Sequence, residues 1–197
     1  MRPIRFSIAA LLTVTTATFA APAAPAQTCG SYCGLERWTV KTLTDSDRAQ
    51  IDFTPVPTSV AHLRGLSAPA HRPAHARVAP VELTTYVIHA VLIGWKLEGD
   101  RDMHLVIADP GQPGGTMIAE VPSTTCDHVC RSGHTAEFRA ARKTLIAQLG
   151  TPTSAYHQFP TPRPITITGV GFFDFLHHQT GVAPNGVELH PVLKVGL

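Results

Sequence analysis

Charged residues are scarce in this chain: Asp, Glu, Lys and Arg make up 15% of its 197 residues, too few for a chain kept open by self-repulsion. An excess of one sign is missing as well. With 16 Lys plus Arg against 14 Asp plus Glu, the strongly basic surface that grips phosphate backbones without sequence preference is absent. Aromatics stand at only 7%. The uncharged apolar stretch at 6–14 is too short to span a bilayer, and no G-x-S-x-G, P-loop or Rossmann glycine pattern occurs. What is present is a normal hydrophobic fraction, 44%, broken by 17 Pro and 15 Gly. That suits one turn-rich domain with flanking segments and excludes two large domains.

The opening residues read as a targeting segment. Arg2 and Arg5 precede the apolar run, and small residues continue to Ala26, the layout of a secretory signal peptide. Cleavage is expected after Ala26, with Ala20 as the runner-up. The mature chain is then secreted or periplasmic, without a transmembrane segment. Loss of Arg2 and Arg5 leaves 14 basic against 14 acidic residues, so the formal charge falls from +2 to zero. Strong non-specific nucleic-acid binding is not expected. Eleven histidines make net charge climb below about pH 6.5.

The four cysteines lie in two C-x3-C pairs, Cys29 with Cys33 and Cys126 with Cys130. In an exported chain two disulfides are the default. Sequence leaves three connectivities open. Pairing within each short motif closes tiny loops, whereas pairing across ties the N-terminal segment to the middle of the domain and contributes about 4–5 kcal/mol on the chain-entropy account. A four-cysteine zinc site is the alternative.

Residues 27–79 read as an N-terminal extension. Within it 37–43 and 51–56 are candidate short strands, and 67–80, with His71, Arg72, His75 and Arg77 among prolines, reads as a solvated connector. The domain proper is expected over 80–197. A long β-rich run at 81–96 is interrupted by Gly94, the mark of a bulge or coil. Strands follow at 103–108 and 116–121, separated by turn signals at 98–100 and 109–115. Phe138, Ala141, Leu145, Ile146 and Leu149 recur at helical offsets over 136–149, with Arg139, Arg142 and Lys143 on the other face. Thr135 or Ser132 is placed to cap its start and Gly150 its end. Strands at 164–173 and 187–195 complete the series, with Pro191 requiring an edge or bulge. The order β-β-β-α-β-β predicts a mostly-β fold with one helix, a five-stranded OB-like Greek-key barrel stoppered by that helix.

Polar residues gather between the last two strands, in GVGFFDFLHHQTGVAPNGVELHP at 169–191. The loop there flanks the binding face of an OB fold. Phe175, His177, Gln179 and Asn185 are the expected ligand-binding residues, Phe175 being the better candidate for an exposed stacking ring. Asp174, His177, Glu188 and His190 form a candidate divalent-metal set. Glu188 and His190 share one strand face, and a metal with an open position there makes hydrolysis conceivable. The competing structural reading has Asp174 accepting backbone N–H bonds, the histidines packed with satisfied edges, and Asn185-Gly186 making a reversal. Glu98, Asp100 and Asp102 also gather at the first hairpin turn with Arg101, a sparse version of the acids a calcium-dependent nuclease needs.

The run from Ile167 to Leu193 resembles the hallmark of a family of small secreted bacterial proteins, itself functionally uncharacterised. The likeness extends more weakly through MHLVIAD at 103–109 and TMIAEVP at 116–122. Where the family has glycine, this chain has His178. The resemblance implies export and no particular activity. The expected function is a secreted binding module for an oligonucleotide, glycan or small molecule, with a metal-dependent hydrolase and an envelope protein-interaction domain as alternatives. A divalent metal is the one cofactor the sequence suggests.

Overall fold

β-Branched residues alternate or run together wherever the chain forms strands. The computed structural model describes Met1 and residues 29–197, so the expected signal peptide lies, Met1 apart, outside the described residues. Six strands form one mixed sheet: β1 (Asp52–Thr58), β2 (Thr84–Leu97), β3 (Met103–Ala108), β4 (Thr116–Val121), β5 (His157–Phe173) and β6 (Val187–Gly196). Two short helices, α1 (Trp38–Lys41) and α2 (Val60–Arg64), precede the long helix α3 (Thr135–Leu149). No helix among the described residues is long and apolar enough to cross a membrane.

The sheet order is β1-β2-β3-β4-β6-β5, and β5 also pairs with β2. β2 reaches three partners because it is long and bent. Its first half lies parallel to β1, its second half runs antiparallel to β3, and β5 follows it nearly throughout. The register slips on both sides between Leu92 and Gly94, as the glycine implies. A side chain at Gly94 would collide with Tyr156 and the His157 carbonyl. β6 lies antiparallel to β5 and briefly parallel to β4, and the β5 register shifts opposite Pro191, the bulge a missing N–H demands.

Ile88, Leu92, Leu105, Ile107, Met117, Ala119, Ile167 and Leu189 fill the main core, with Ala141 and Leu145 of α3 packed in. Phe138 belongs to a second cluster, with Trp38, Leu43, Ile51, Cys126, Val129 and Val170. α3 buries Phe138, Ala141 and Leu145, while Ile146 is exposed. Gly150 closes the helix at φ 87, but its start at His134 has no side-chain cap. Arg142 donates to the Val121 and Arg101 carbonyls, so it clamps the helix to the β2–β3 turn as well as facing outward.

Three local expectations change. Residues 37–43 form no strand: α1 occupies their centre, bracketed by Arg37 at φ 55 and Leu43 at φ 56. Alternation over so short a run is a weak signal, and burial of Trp38, Val40 and Leu43 decides the shape. β5 starts at His157, because its proline-bearing first half is exposed and paired irregularly with β2, where absent N–H groups cost little. The connector 67–80 is not simply solvated. Arg77 is buried against Asp45, and Arg72 donates to the Asn185 carbonyl.

The disulfides pair across the chain, Cys29 with Cys130 and Cys33 with Cys126, at Cα separations of 5.7 and 5.6 Å. No cysteine is left free, so the four-thiolate zinc arrangement does not form. The bridges hold the N-terminal segment beside the loop that enters α3.

Candidate functional site

Three segments remote in sequence meet at one end of the sheet. The β2–β3 turn brings Glu98, Gly99 and Asp100; the disulfide-tied N-terminal segment brings Cys33, Leu35, Glu36 and Lys41; and the β5–β6 loop brings Asp174, His177 and Gln179. Together with Glu120 they line an open cavity of about 490 Å³. Its wall holds five carboxylates, Glu36, Glu98, Asp100, Glu120 and Asp174, against Lys41 and His177.

The cavity's inner edge is a buried layer of ionisable groups on neighbouring strands. His104 of β3 lies directly opposite Glu120 of β4, and Glu188 of β6 is paired with Ile118 two residues before it. Asp102, His104, Glu188 and His190 are fully or almost fully buried. His104 donates from Nδ1 to Glu120 Oε1 at 2.9 Å and from Nε2 to the Thr180 carbonyl at 2.9 Å, and Glu98 Oε1 lies 3.1 Å from the same Nδ1. Burial pulls its pKa down, yet the bonds to Glu120 and Glu98 prevail and push it up to about 10. Glu98 is correspondingly lowered, first by its bond from His104.

His190 is placed differently. Its Nδ1 lies 3.1 Å from Glu120 Oε2 and 3.8 Å from Glu188 Oε2, and its Nε2 lies 3.4 Å from Asp102 Oδ2. These are charge contacts without hydrogen-bond geometry: both ring nitrogens, Asp102 Oδ2 and Glu188 Oε2 are buried with no hydrogen-bond partner. Burial raises Glu188 to about 7, with Glu120 and Asp174 adding to the rise. It also raises Asp100 to about 6, aided by Asp102 and Glu120. Burial opposes the charge on Lys41, but Asp174, Glu120 and Glu188 outweigh it and keep the ammonium protonated beyond its usual range.

The residues expected from sequence divide. Glu188 and His190 come together as their spacing implies. Asp174 lines the cavity but is committed to Lys41 at 3.0 Å and to the Phe175 N–H. His177 is half-exposed against Glu36 at 2.7 Å, and Gln179 accepts from the His177 N–H. Phe175 is half-buried, with the Arg72 guanidinium 5.8 Å from its ring centre. Phe172 and Phe173 are both core. Asn185 is buried, donating to the Leu63 and Leu66 carbonyls and accepting from Val187 N–H, so it fastens the loop to α2.

His104, Glu120 and Lys41 were not among the site residues expected from sequence. The signal was there: one ionisable residue inside an otherwise apolar strand, in MHLVIA and in TMIAEV, is the informative kind of exception. Among the described residues three groups have ligand atoms close enough to share a metal: Glu98, His104 and Glu120; Asp102, Glu120 and His190; and Cys29, Asp127 and Cys130. Comparison of the chain with models of known families, with curated proteins and with solved structures finds no match.

Proposed function

We propose that the chain is an exported OB-like barrel that binds a hydroxyl- or amine-rich ligand, such as a short glycan segment, in the cavity between the β2–β3 turn and the β5–β6 loop. The barrel reading draws support from the pairing of β5 with β2, which joins the two ends of the β2-β3-β4-β6-β5 series. The helix between β4 and β5 stands where an OB fold has its stopper. Export is supported by the two disulfides.

The observation that carries the ligand class is the carboxylate-rich wall. Carboxylates accept hydrogen bonds and repel phosphodiesters, so a donor-bearing ligand fits where an oligonucleotide does not. The two flanking loops are those an OB fold uses for binding, and about 490 Å³ lies within the range of small-ligand sites. Calorimetry against a set of oligosaccharides, amino sugars, polyamines and a single-stranded oligonucleotide at physiological salt tests the reading. A sugar or amine binds, and Asp100→Asn weakens it by about tenfold, the worth of one charge-assisted hydrogen bond. Binding of the oligonucleotide alone overturns it.

A further inference from the structure

We infer that Asp102, Glu120 and His190, with Glu188 beside them, form a site for a divalent transition metal, Zn2+ or Mn2+, at the inner edge of the cavity. The inference is independent of the ligand proposed above, because the metal alone is its probe.

The ligand atoms of Asp102, Glu120 and His190 lie within 4.8 Å of one another, so side-chain shifts of a few tenths of an ångström bring them onto one ion at bonds of about 2.0–2.2 Å. Closeness of acids and a histidine is not sufficient. What distinguishes this group is that Asp102 Oδ2, Glu188 Oε2 and both His190 nitrogens are buried without a hydrogen-bond partner. Buried polar atoms are normally bonded, and leaving one unpaired costs about 1–3 kcal/mol. Protons do not resolve the arrangement as it stands. The His190 contacts at 3.4 and 3.8 Å are too long for good bonds, and the 3.1 Å contact to Glu120 is misaligned.

The other two groups lack this property. In the first, His104 has both ring nitrogens committed, to Glu120 and to the Thr180 carbonyl, so neither lone pair is offered. In the third, both sulfurs are spent in one disulfide with each other. His104 instead acts as the outer partner that metal-site carboxylates characteristically have: it holds Glu120 Oε1 and leaves Oε2 facing His190. One imidazole with carboxylates suits Zn2+ or Mn2+ better than a soft-thiolate metal. Three carboxylates, Asp102, Glu120 and Glu188, crowd one imidazole, and a dication offsets that surplus. Entry is through the cavity, where the Glu120 side chain is 11% exposed.

The test uses the full chain, stripped with chelator and titrated separately with Zn2+ and Mn2+. One ion binds per chain and raises the melting temperature. Asp102→Asn, which keeps the oxygen that accepts from Ser123 N–H, weakens affinity by at least about tenfold, and His190→Gln by about 100-fold or more. Asp127→Asn, in the disulfide-blocked group, changes nothing. Should the His190 variant fail to fold, X-ray absorption on the loaded wild-type chain supplies the answer: a single imidazole with oxygen ligands and no sulfur. No saturable binding of either ion, unchanged affinity in folded Asp102→Asn, or sulfur in the coordination sphere overturns the inference.

Discussion

Two buried charge networks lie among the described residues, and they are built on opposite terms. In one, Arg37 spends its donors on both Glu82 oxygens and on the Pro73, Ala76 and Phe173 carbonyls. Glu82 also accepts from Val78 and Phe173 N–H, and Arg77 makes a two-toothed pair with Asp45 while donating to the Val40 and Glu82 carbonyls. In the other, Asp102, Glu120, Glu188 and His190 press charges together while four of their polar atoms bond to nothing. The first is a staple: it joins the N-terminal segment, the connector and the end of β5 by satisfying every group it buries. The second is costly as it stands, and a protein keeps a cost of that kind where it has work to do.

The comparison breaks most readily at the staple. Removing one member of a buried, fully bonded pair leaves a charge stranded and costs about 3–5 kcal/mol. Glu82→Ala is therefore expected to move the urea midpoint far down, measured by unfolding with two probes. Replacing Glu188 by Gln in the second network removes a carboxyl whose ionisation burial opposes, and its stability change in metal-free protein stays within about 1 kcal/mol or is a gain. Equal losses at the two positions would erase the distinction. The disulfides reinforce the staple from outside. Converting Cys29 and Cys130 together to Ser costs about 2–5 kcal/mol, on the same measurement.

Acidity sharpens the contrast further. Glu188 is raised to about 7 from 4.5 by burial, so the folded state holds its proton where the unfolded chain has lost it. Its contribution to stability is fully present below pH 4.5 and is lost as pH rises through about 7. His104, raised to about 10 from 6.5, contributes stability that is complete below pH 6.5 and declines as pH approaches 10. Metal-free protein is therefore expected to lose stability steadily from weakly acidic to alkaline pH. Glu188→Gln removes the lower part of that slope and His104→Gln the upper part, as melting temperature against pH will record. A slope unchanged by both variants would place the pH dependence elsewhere.

How these networks were visible beforehand differs with the range of the interactions. β3 and β4 were legible to the residue, and α3 nearly so, because their periodicity is local. The α1 turn was not, because burial of Trp38 and the two left-handed residues beside it are set by tertiary contacts. Nor was β1 as a sheet member, since its parallel partner β2 is supplied from afar. At the site, Glu188 and His190 could be paired from their spacing on one strand. Asp102 comes from the end of the β2–β3 turn, Glu120 from β4, and Lys41 arrives through a disulfide-held segment, so only the tertiary fold assembles them. Asp174 was a candidate metal ligand on its spacing from His177, and its tie to Lys41, a contact across most of the chain, has no local signal.

The smallest expected effect concerns the loop that follows the Phe173 carbonyl of the first network and reaches the cavity wall through Asp174. His178 in that loop is exposed and sits at φ 59, a left-handed conformation that costs a side chain about 1–2 kcal/mol and glycine almost nothing. Set against glycine's greater freedom in the unfolded chain, His178→Gly is expected to stabilise by about 0.5–1 kcal/mol, read from the urea midpoint. Because the His178 side chain is outside both networks, metal affinity and the pH slope stay as in the wild type. A gain in stability accompanied by altered metal affinity would mean instead that the loop's backbone, and not only Glu120 and His190, sets the shape of the buried cluster.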